Sequence, residues 1–188
     1  YNALGVIAAA LALHIPLGKI AVALRTAQSV KGRVEVVPTP GKDYTVLIDY
    51  SHTPDSLENI LKAVRGFCTG RIIAVFGCGG DRDPYKRPVM GRIAAERSDL
   101  AIVTSDNPRT EDPYKILRQI LAGMQDTETP YEVVESRVSA IGRAMELARK
   151  NDVIVLCGKG HETYQEIGHE KHHLDEREVV ASYLEAKA

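Results

Sequence analysis

The stretch YTVLIDY (residues 44–50) and the segment PDSLENILKAVRGF (54–67) that follows it decide the fold. The first is a continuous apolar run of strand length, which is typical of a β-strand buried on both faces. The second repeats apolar residues at the spacing of an amphipathic helix. Its predicted inward face consists of Leu57, Ile60, Leu61, Val64 and Phe67. A buried strand followed directly by such a helix is the repeating unit of an α/β protein.

The same alternation continues towards the end of the chain. Further apolar strands are predicted at residues 71–77, 100–105, 131–136 and 152–158. Further helices are predicted at 88–98, 112–124 and 137–150, with a closing helix from about Glu176. Because strands and helices alternate and the strands are apolar on both faces, we predict a Rossmann-like α/β fold with a mostly parallel sheet and helices on both faces.

The amino-terminal part has a different pattern. Two helices are predicted at residues 2–14 and 17–28, and Pro16 suits the start of the second. The apolar run ALGVIAAALAL (3–13) is too short to span a bilayer and lacks the flanks of a signal peptide. It therefore predicts a buried helix.

A shift in composition indicates a domain boundary. Residues 30–46 are rich in glycine, proline and β-branched residues, and the regular alternation begins after them. We therefore predict the end of one domain plus a linker at 1–37 and a second domain at 38–188. Because the sequence opens at Tyr1, almost inside a helix, we expect a fragment of a longer protein.

Composition argues against several classes of function. The 188 residues carry a formal net charge of −1, so no strong field attracts nucleic acid or an anionic membrane. The content of 8 Tyr, 2 Phe and no Trp offers few platforms for stacking bases. Cys68, Cys78 and Cys157 lack CxxC spacing, which argues against a disulfide framework and a zinc site and favours a cytoplasmic location.

The polar residues are concentrated in the loops that follow the predicted strands. These loops are DYSHTPDS, FGCGGDRDPYKRP, SDNPRTEDP and CGKGHETYQ. Right-handed crossovers place the loops after parallel strands at one edge of the sheet, where ligands bind in open α/β folds. SDNPRTED (105–112) is also compatible with an ordinary surface turn, since Asp, Asn and Pro favour turns.

Two glycine-containing loops do not match the common nucleotide motifs. GCGGDRD (77–83) has Arg82 where a dinucleotide fingerprint needs its third glycine, and a structural turn with a solvated Arg82 remains an alternative. GKGHE (158–162) lacks the spacing of a Walker A loop, so we do not expect this chain alone to hydrolyse ATP. His169, His172 and His173 favour a solvated surface strand over a metal site.

Taken together, DYSHTPDSLENIL, VFGCGGDRDPYKRPVMG, TSDNPRTEDP and GKGHETYQ resemble the C-terminal part of the Mur ligase family. The resemblance covers essentially the whole chain and is strongest to the tripeptide-synthetase (MurE) branch. It implies an ATP-dependent ligase that adds an amino acid to a UDP-MurNAc-dipeptide in peptidoglycan synthesis. ATP and Mg²⁺ would be bound mainly by upstream domains, so no catalytic residue and no metal ligand is assigned to this chain.

The resemblance also implies which amino acid is added and which residues bind it. DNPR resembles the motif of family members that add meso-diaminopimelate, and a guanidinium suits the second carboxylate of that substrate. The implied diaminopimelate-binding residues are Arg82, Asp106, Asn107, Pro108, Arg109, Gly158 and Glu162. The implied nucleotide-binding residues are Arg33, Asp49 and His52.

Three alternatives remain open from the sequence. The same ligase type could add L-lysine, which lacks the second carboxylate. An isolated nucleotide-binding oxidoreductase domain would bind NAD or NADP, although Arg82 replaces the glycine that it needs. A non-enzymatic amino-acid sensor could use the same residues.

Overall fold

The computed structural model describes residues 2–27 and 30–186, and the chain divides after Val30 into two compact units. The first unit contains helices α1 (Asn2–Ala12) and α2 (Leu17–Thr26). Both correspond to predicted helices, although position 28 of the second prediction lies outside the described residues, as does Tyr1. The burial predicted for the run 3–13 is not found, because Leu4, Val6 and Leu13 are 64%, 61% and 74% exposed. The assignment of residues 1–37 to a separate domain stays a prediction.

The second unit is built on a six-stranded sheet in the order β1-β2-β6-β3-β4-β5. Its strands are β1 (Glu35–Val37), β2 (Thr45–Asp49), β3 (Ile72–Phe76), β4 (Leu100–Val103), β5 (Tyr131–Val133) and β6 (Val153–Cys157). Strands β2 to β6 pair in parallel, whereas β1 runs antiparallel to β2 at the edge. The mostly parallel sheet confirms the predicted fold class, and β1 is an edge strand that the sequence patterns did not predict.

Helices cover both faces of this sheet, as predicted. They are α3 (Pro54–Arg65), α4 (Lys86–Arg97), α5 (Pro113–Leu121), α6 (Arg137–Leu147) and α7 (Glu176–Glu185). One core cluster joins α3, α4 and α5 to the sheet through residues such as Leu61, Phe76 and Met90. The other joins α6 and α7 to the opposite face and includes Val75 and Ile141. The prediction that Phe67 points inward is wrong, because α3 ends at Arg65 and Phe67 is 58% exposed.

Helix caps fix where the strand-end loops stop. Thr53 caps α3 in a reciprocal capping box with Ser56, and Pro54 occupies its first turn. Asp112 caps α5 through the backbone N–H of Tyr114. These caps set the length of the loops after β2 and β4, which carry five of the ten predicted ligand-binding residues.

A two-stranded hairpin lies outside the main sheet. It is formed by β7 (Tyr164–Ile167) and β8 (Glu170–His173) and follows the loop after β6. An isolated parallel bridge joins Ile167 to Arg109, so the hairpin is attached to the loop after β4. His172 and His173 are exposed on β8, and within residues 2–27 and 30–186 no group of three or more His, Cys, Asp or Glu side chains could hold a metal ion.

No helix in the described ranges, 2–27 and 30–186, combines the length and the apolar character that crossing a membrane requires.

Candidate functional site

A cleft of about 310 Å³ opens where the four strand-end loops meet at the carboxyl edge of β2, β3, β4 and β6. Six of the seven residues predicted to bind diaminopimelate line it, namely Arg82, Asp106, Asn107, Arg109, Gly158 and Glu162. Pro108 is buried behind this surface. His52, predicted to contact the nucleotide, also lines the cleft, together with Tyr50 and Lys86. The topology therefore brings together side chains that are up to 112 residues apart in sequence.

A buried lysine, Lys159, contacts residues that line the cleft, and its side chain has no exposed surface. Its ammonium nitrogen lies 2.9 Å from Asn107 Oδ1, 3.1 Å from Glu162 Oε2 and 3.5 Å from Asp106 Oδ1. One buried cation thus contacts three of the residues predicted to bind the amino acid. Two carboxylates and one ammonium leave this cluster with a formal charge of −1, which suits a ligand ammonium group.

The side-chain amide of Asn107 is fixed on both sides. Its Nδ2 donates to Glu162 Oε2 at 3.0 Å, while its Oδ1 accepts from Lys159 and from the backbone N–H of Glu166 at 2.9 Å. Because Lys159 and the backbone N–H can only donate, these partners determine which end of the amide is oxygen. The amide is held in place without a ligand.

Glu162 remains a carboxylate despite its partial burial. Burial raises its pKa, but the hydrogen bond from Asn107 and the positive charge of Lys159 outweigh that effect, so the pKa lies below its usual value of 4.5. The hydroxyl of Tyr50 also lies 3.5 Å from Glu162 Oε1. The cleft therefore offers a fixed negative charge at neutral pH.

Arg109 also lines the cleft and has a left-handed backbone conformation, with φ of 50°. Its Nε donates to Glu166 Oε2 at 2.9 Å, and its Nη1 donates to the carbonyl of Gly80 at 2.9 Å. Its backbone N–H donates to the carbonyl of Glu166 at 3.0 Å, and its own carbonyl accepts from Gly168 at 2.8 Å. The hairpin β7–β8 thus holds both the backbone and the guanidinium of Arg109.

Arg82 differs from Arg109 because it lies exposed on the rim. Its Nη1 donates to the carbonyl of its neighbour Asp81 at 3.0 Å. Asp81 has φ of 53° and is braced by Thr110 and by the carboxylate of Glu111. The loop backbone is therefore fixed while the Arg82 guanidinium faces the cleft opening. Its role in ligand binding stays a prediction.

Gly158 meets a steric requirement as well as lining the cleft. It has φ of 115°, and a Cβ at this position would lie 3.0 Å from Asp106 Oδ2. Both facts favour glycine, since L side chains rarely adopt that backbone conformation. Its N–H donates to the carbonyl of Asp49 at 3.0 Å, which connects the loops after β2 and β6.

The predicted nucleotide-binding residues fall into two groups. Asp49 is buried, and its two oxygens accept from Val34 N–H at 2.9 Å and from the Ser51 hydroxyl. Arg33 and His52 are exposed, and both approach the ring of Tyr50, with 5.1 Å from the Arg33 guanidinium carbon to the ring centroid. Asp49 thus holds the local backbone, whereas Arg33 and His52 are accessible; nucleotide contacts by all three stay predictions.

The segment after Val30 is anchored to the loop that carries Glu162. A Cβ on Gly32, whose φ is 73°, would lie 2.2 Å from the backbone nitrogen of His161. Glu35 accepts from the Gly32 N–H at 2.6 Å and pairs with Arg177, which also donates to the carbonyl of Gly160 at 3.1 Å. The hydrogen bond from Arg177 is the main cause that lowers the pKa of Glu35.

Four residues of the site did not emerge from the sequence. The sequence excludes a Walker loop around Lys159 but indicates no other role for it, and it indicates none for Glu166, Tyr50 or Lys86. Lys86 donates from Nζ to the carbonyl of His52 at 2.7 Å. A signal was present for Lys159, since a lysine between two glycines directly after an apolar strand lies at the ligand-binding edge. No local pattern distinguishes Glu166 from other acids of the charged C-terminal segment.

Comparison with known proteins identifies the family. A family model described as Mur ligase, glutamate ligase domain, matches residues 32–160. The chain belongs to the Mur ligase family. Two curated relatives are the UDP-N-acetylmuramoyl-L-alanyl-D-glutamate--2,6-diaminopimelate ligases of Clostridioides difficile (strain 630) and Trichormus variabilis (strain ATCC 29413 / PCC 7937). They are 52% and 56% identical over 98% and 97% of this chain.

A solved structure of a ligase of the same name is 35% identical, with a TM-score of 0.79 over 96% of this chain. The chain spans 38% and 37% of the two curated relatives and 37% of the solved chain. A solved UDP-N-acetylmuramate-alanine ligase from Thermotoga maritima is 20% identical, with a TM-score of 0.66, and therefore shows the shared fold alone. These similarities confirm the resemblance that the four loop motifs indicated.

Proposed function

We propose that this chain provides the amino-acid site of an ATP-dependent ligase that adds meso-diaminopimelate to UDP-MurNAc-L-Ala-D-Glu. The observation that carries the proposal is that one cleft presents groups of both charges. The cluster of Asp106, Glu162 and Lys159 is negative overall, and the guanidinium-bearing residues Arg109 and Arg82 line the same cleft. The names of the similar ligases support the same substrate.

The arrangement suits the distal end of diaminopimelate, which carries both an ammonium and a carboxylate. The ammonium would face Glu162 and Asp106, while the carboxylate would face Arg109, with Arg82 closing the rim. The side-chain amide of Asn107 would hydrogen-bond the ligand only with the donor or acceptor positions that Lys159, Glu162 and Glu166 do not already occupy. Because these groups are already held by internal bonds, binding costs little reorganisation, and the substrate amine is positioned for reaction.

The nucleotide side of the proposal rests on two accessible side chains and one buried carboxylate. When bound, ATP supplies the free energy for forming the amide bond. The accessible Arg33 and His52 suit contacts to a phosphate, ribose or base, and buried Asp49 would act by holding Val34 and Ser51 beside them. Binding of Mg²⁺ mainly by upstream domains stays what the resemblance to the family implies. A cytoplasmic location completes the proposal.

Calorimetric titration with meso-diaminopimelate and with L-lysine tests the amino-acid site. We expect diaminopimelate to bind more tightly, because Arg109 gains a second carboxylate partner. Removing one partner of a desolvated charge pair costs about 2–5 kcal/mol, so Arg109→Ala should weaken diaminopimelate at least about thirtyfold. Arg118→Ala is the matched control, since Arg118 is an exposed arginine on α5 whose side chain is 69% accessible.

Four results would contradict the proposal. The first is that neither amino acid binds. Equal binding of lysine and diaminopimelate would remove the assigned role of Arg109. Tight binding of NADH with no amino-acid binding would favour the oxidoreductase alternative. Equal loss of affinity in Arg118→Ala and Arg109→Ala would show a general electrostatic effect instead of a specific contact.

A further inference from the structure

Glu166 is an acid that the proposed function does not use, yet it lies against the residue that should read the substrate carboxylate. It belongs to β7, and its Oε2 is 2.9 Å from Arg109 Nε. The two side chains are only 27% and 18% exposed, so solvent screens this pair less than an ordinary surface pair. Glu166 was not among the residues expected to bind a ligand.

The backbone of Glu166 already performs the structural task at this position. Its N–H donates to Asn107 Oδ1 at 2.9 Å, and its carbonyl accepts from the Arg109 N–H at 3.0 Å. Neither bond involves the carboxylate. Gly80 independently holds Nη1 of Arg109 through its carbonyl. The negative charge of Glu166 is therefore not needed to hold this loop, because other contacts fix it.

The ion pair has a consequence for selectivity. An arginine without an internal partner strongly disfavours a ligand that leaves it unpaired in a partly desolvated site. Here Arg109 keeps Glu166 as a partner when the ligand has no distal carboxylate. The same Glu166 carboxylate also repels a ligand carboxylate that approaches Arg109. Both effects reduce the advantage of diaminopimelate over lysine.

We propose that Glu166 is a specificity-determining residue that limits how strongly the cleft discriminates between amino acids with and without a distal carboxylate. The proposal rests on the proposed function, because it concerns the same ligand at the same arginine. It assigns the selectivity of the site to a pair, Arg109 and Glu166, instead of to Arg109 alone.

The test is the ratio of the Kd for L-lysine to the Kd for meso-diaminopimelate in the variant Glu166→Gln. Glutamine keeps an oxygen that accepts from Arg109 Nε but removes the charge. We expect the ratio to rise about threefold or more, mainly through tighter binding of diaminopimelate. The matched control is Glu170→Gln on β8, whose side chain is 83% exposed and which should leave the ratio unchanged.

The outcomes separate this inference from the proposed function. If wild type prefers diaminopimelate and Arg109→Ala removes the preference, an unchanged ratio in Glu166→Gln overturns only the role of Glu166. Equal weakening of both ligands in Glu166→Gln also overturns it, because that result indicates a purely structural residue. A wild-type chain that binds both ligands equally, or neither, overturns the proposed function and this inference together.

Discussion

The two sides of the cleft differ in how firmly the chain holds the predicted binding residues. On the amino-acid side, Asn107, Arg109 and Glu162 are each held by hydrogen bonds or ion pairs from other loops. On the nucleotide side, Arg33 and His52 are exposed and contact little beyond Tyr50. The first side is organised before any ligand arrives, whereas the second presents accessible groups.

This difference suits two different tasks: selecting one amino acid, and binding a ligand that other parts of a longer protein also contact. A site that must distinguish closely similar amino acids benefits from groups fixed by a supporting layer of contacts. Residues that meet a ligand shared with other parts of a longer protein can remain accessible until those parts approach. We therefore expect substitutions on the amino-acid side to change stability and affinity together, and substitutions of the exposed Arg33 or His52 to change neither in this chain.

The largest expected effect is that of Lys159→Met. Methionine is similar in length but leaves Asp106 and Glu162 without their buried cation. Removing one member of a buried ion pair costs about 3–5 kcal/mol of free energy of unfolding. Chemical denaturation measures this loss. An unchanged denaturation midpoint and slope would show that Lys159 does not stabilise the protein through Asp106 and Glu162.

Gly80→Ala should have the next largest effect. An added Cβ would lie 1.9 Å from the carbonyl oxygen of Pro108, and this backbone atom cannot move without displacing Arg109. We expect a loss of about 2–3 kcal/mol in the free energy of unfolding, as for other overpacked sites. Gly79→Ala is the control, because its Cβ would approach a side-chain atom, Arg109 Nη1, at 3.0 Å and would stay 3.8 Å from the nearest backbone atom, the carbonyl oxygen of Asn107. Equal destabilisation by both variants would contradict this explanation.

The dependence on pH tests the charge of Glu162. Its folded pKa is lowered, so it contributes stability at pH values above 4.5, and that contribution is lost as pH falls through the lowered pKa. In Lys159→Met the pKa of Glu162 should rise, and the loss should begin at higher pH. Carboxyl NMR titration of both proteins measures the difference. Identical titration curves would remove the role of Lys159 as its counterion.

Arg33→Ala should have the smallest effect. Arg33 is exposed, and its one described interaction is with the ring of Tyr50. We expect a change of at most about 0.5 kcal/mol in the free energy of unfolding and no change in amino-acid affinity. Denaturation and calorimetry on the same preparation test both. A tenfold loss of diaminopimelate affinity would mean that the two sides of the cleft are coupled through Tyr50.

Periodicity in the sequence was sufficient for most of the fold. Continuous apolar runs predicted β2, β3, β4 and β6, because a short apolar run bounded by turn residues has the length of a strand and is too short for a buried helix. The short edge strand β1 was missed, since three residues beside a Gly- and Pro-rich linker carry almost no pattern. Phe67 was misplaced because apolar spacing continues past the point where the helix ends.

The site was predictable only where a residue stands in a recognisable motif. Arg109 and Asn107 follow a buried strand, so their position at the ligand edge could be inferred from topology. Glu166 lies 57 residues after Arg109, and their pairing depends on how the β7–β8 hairpin attaches to another loop. Contacts of that kind arise from tertiary packing, which local spacing does not encode.

The anchoring of residues 31–35 has a practical consequence for dissecting the molecule. Glu35, Arg177 and the carbonyl of Gly160 connect this segment to the loop that bears Glu162. A protease cut or an engineered truncation before Lys31 should spare the cleft, whereas one that removes Glu35 should loosen it although no cleft-lining residue is lost. The smallest portion of the chain worth isolating for ligand studies therefore starts at Lys31, seven residues before the boundary that composition indicates.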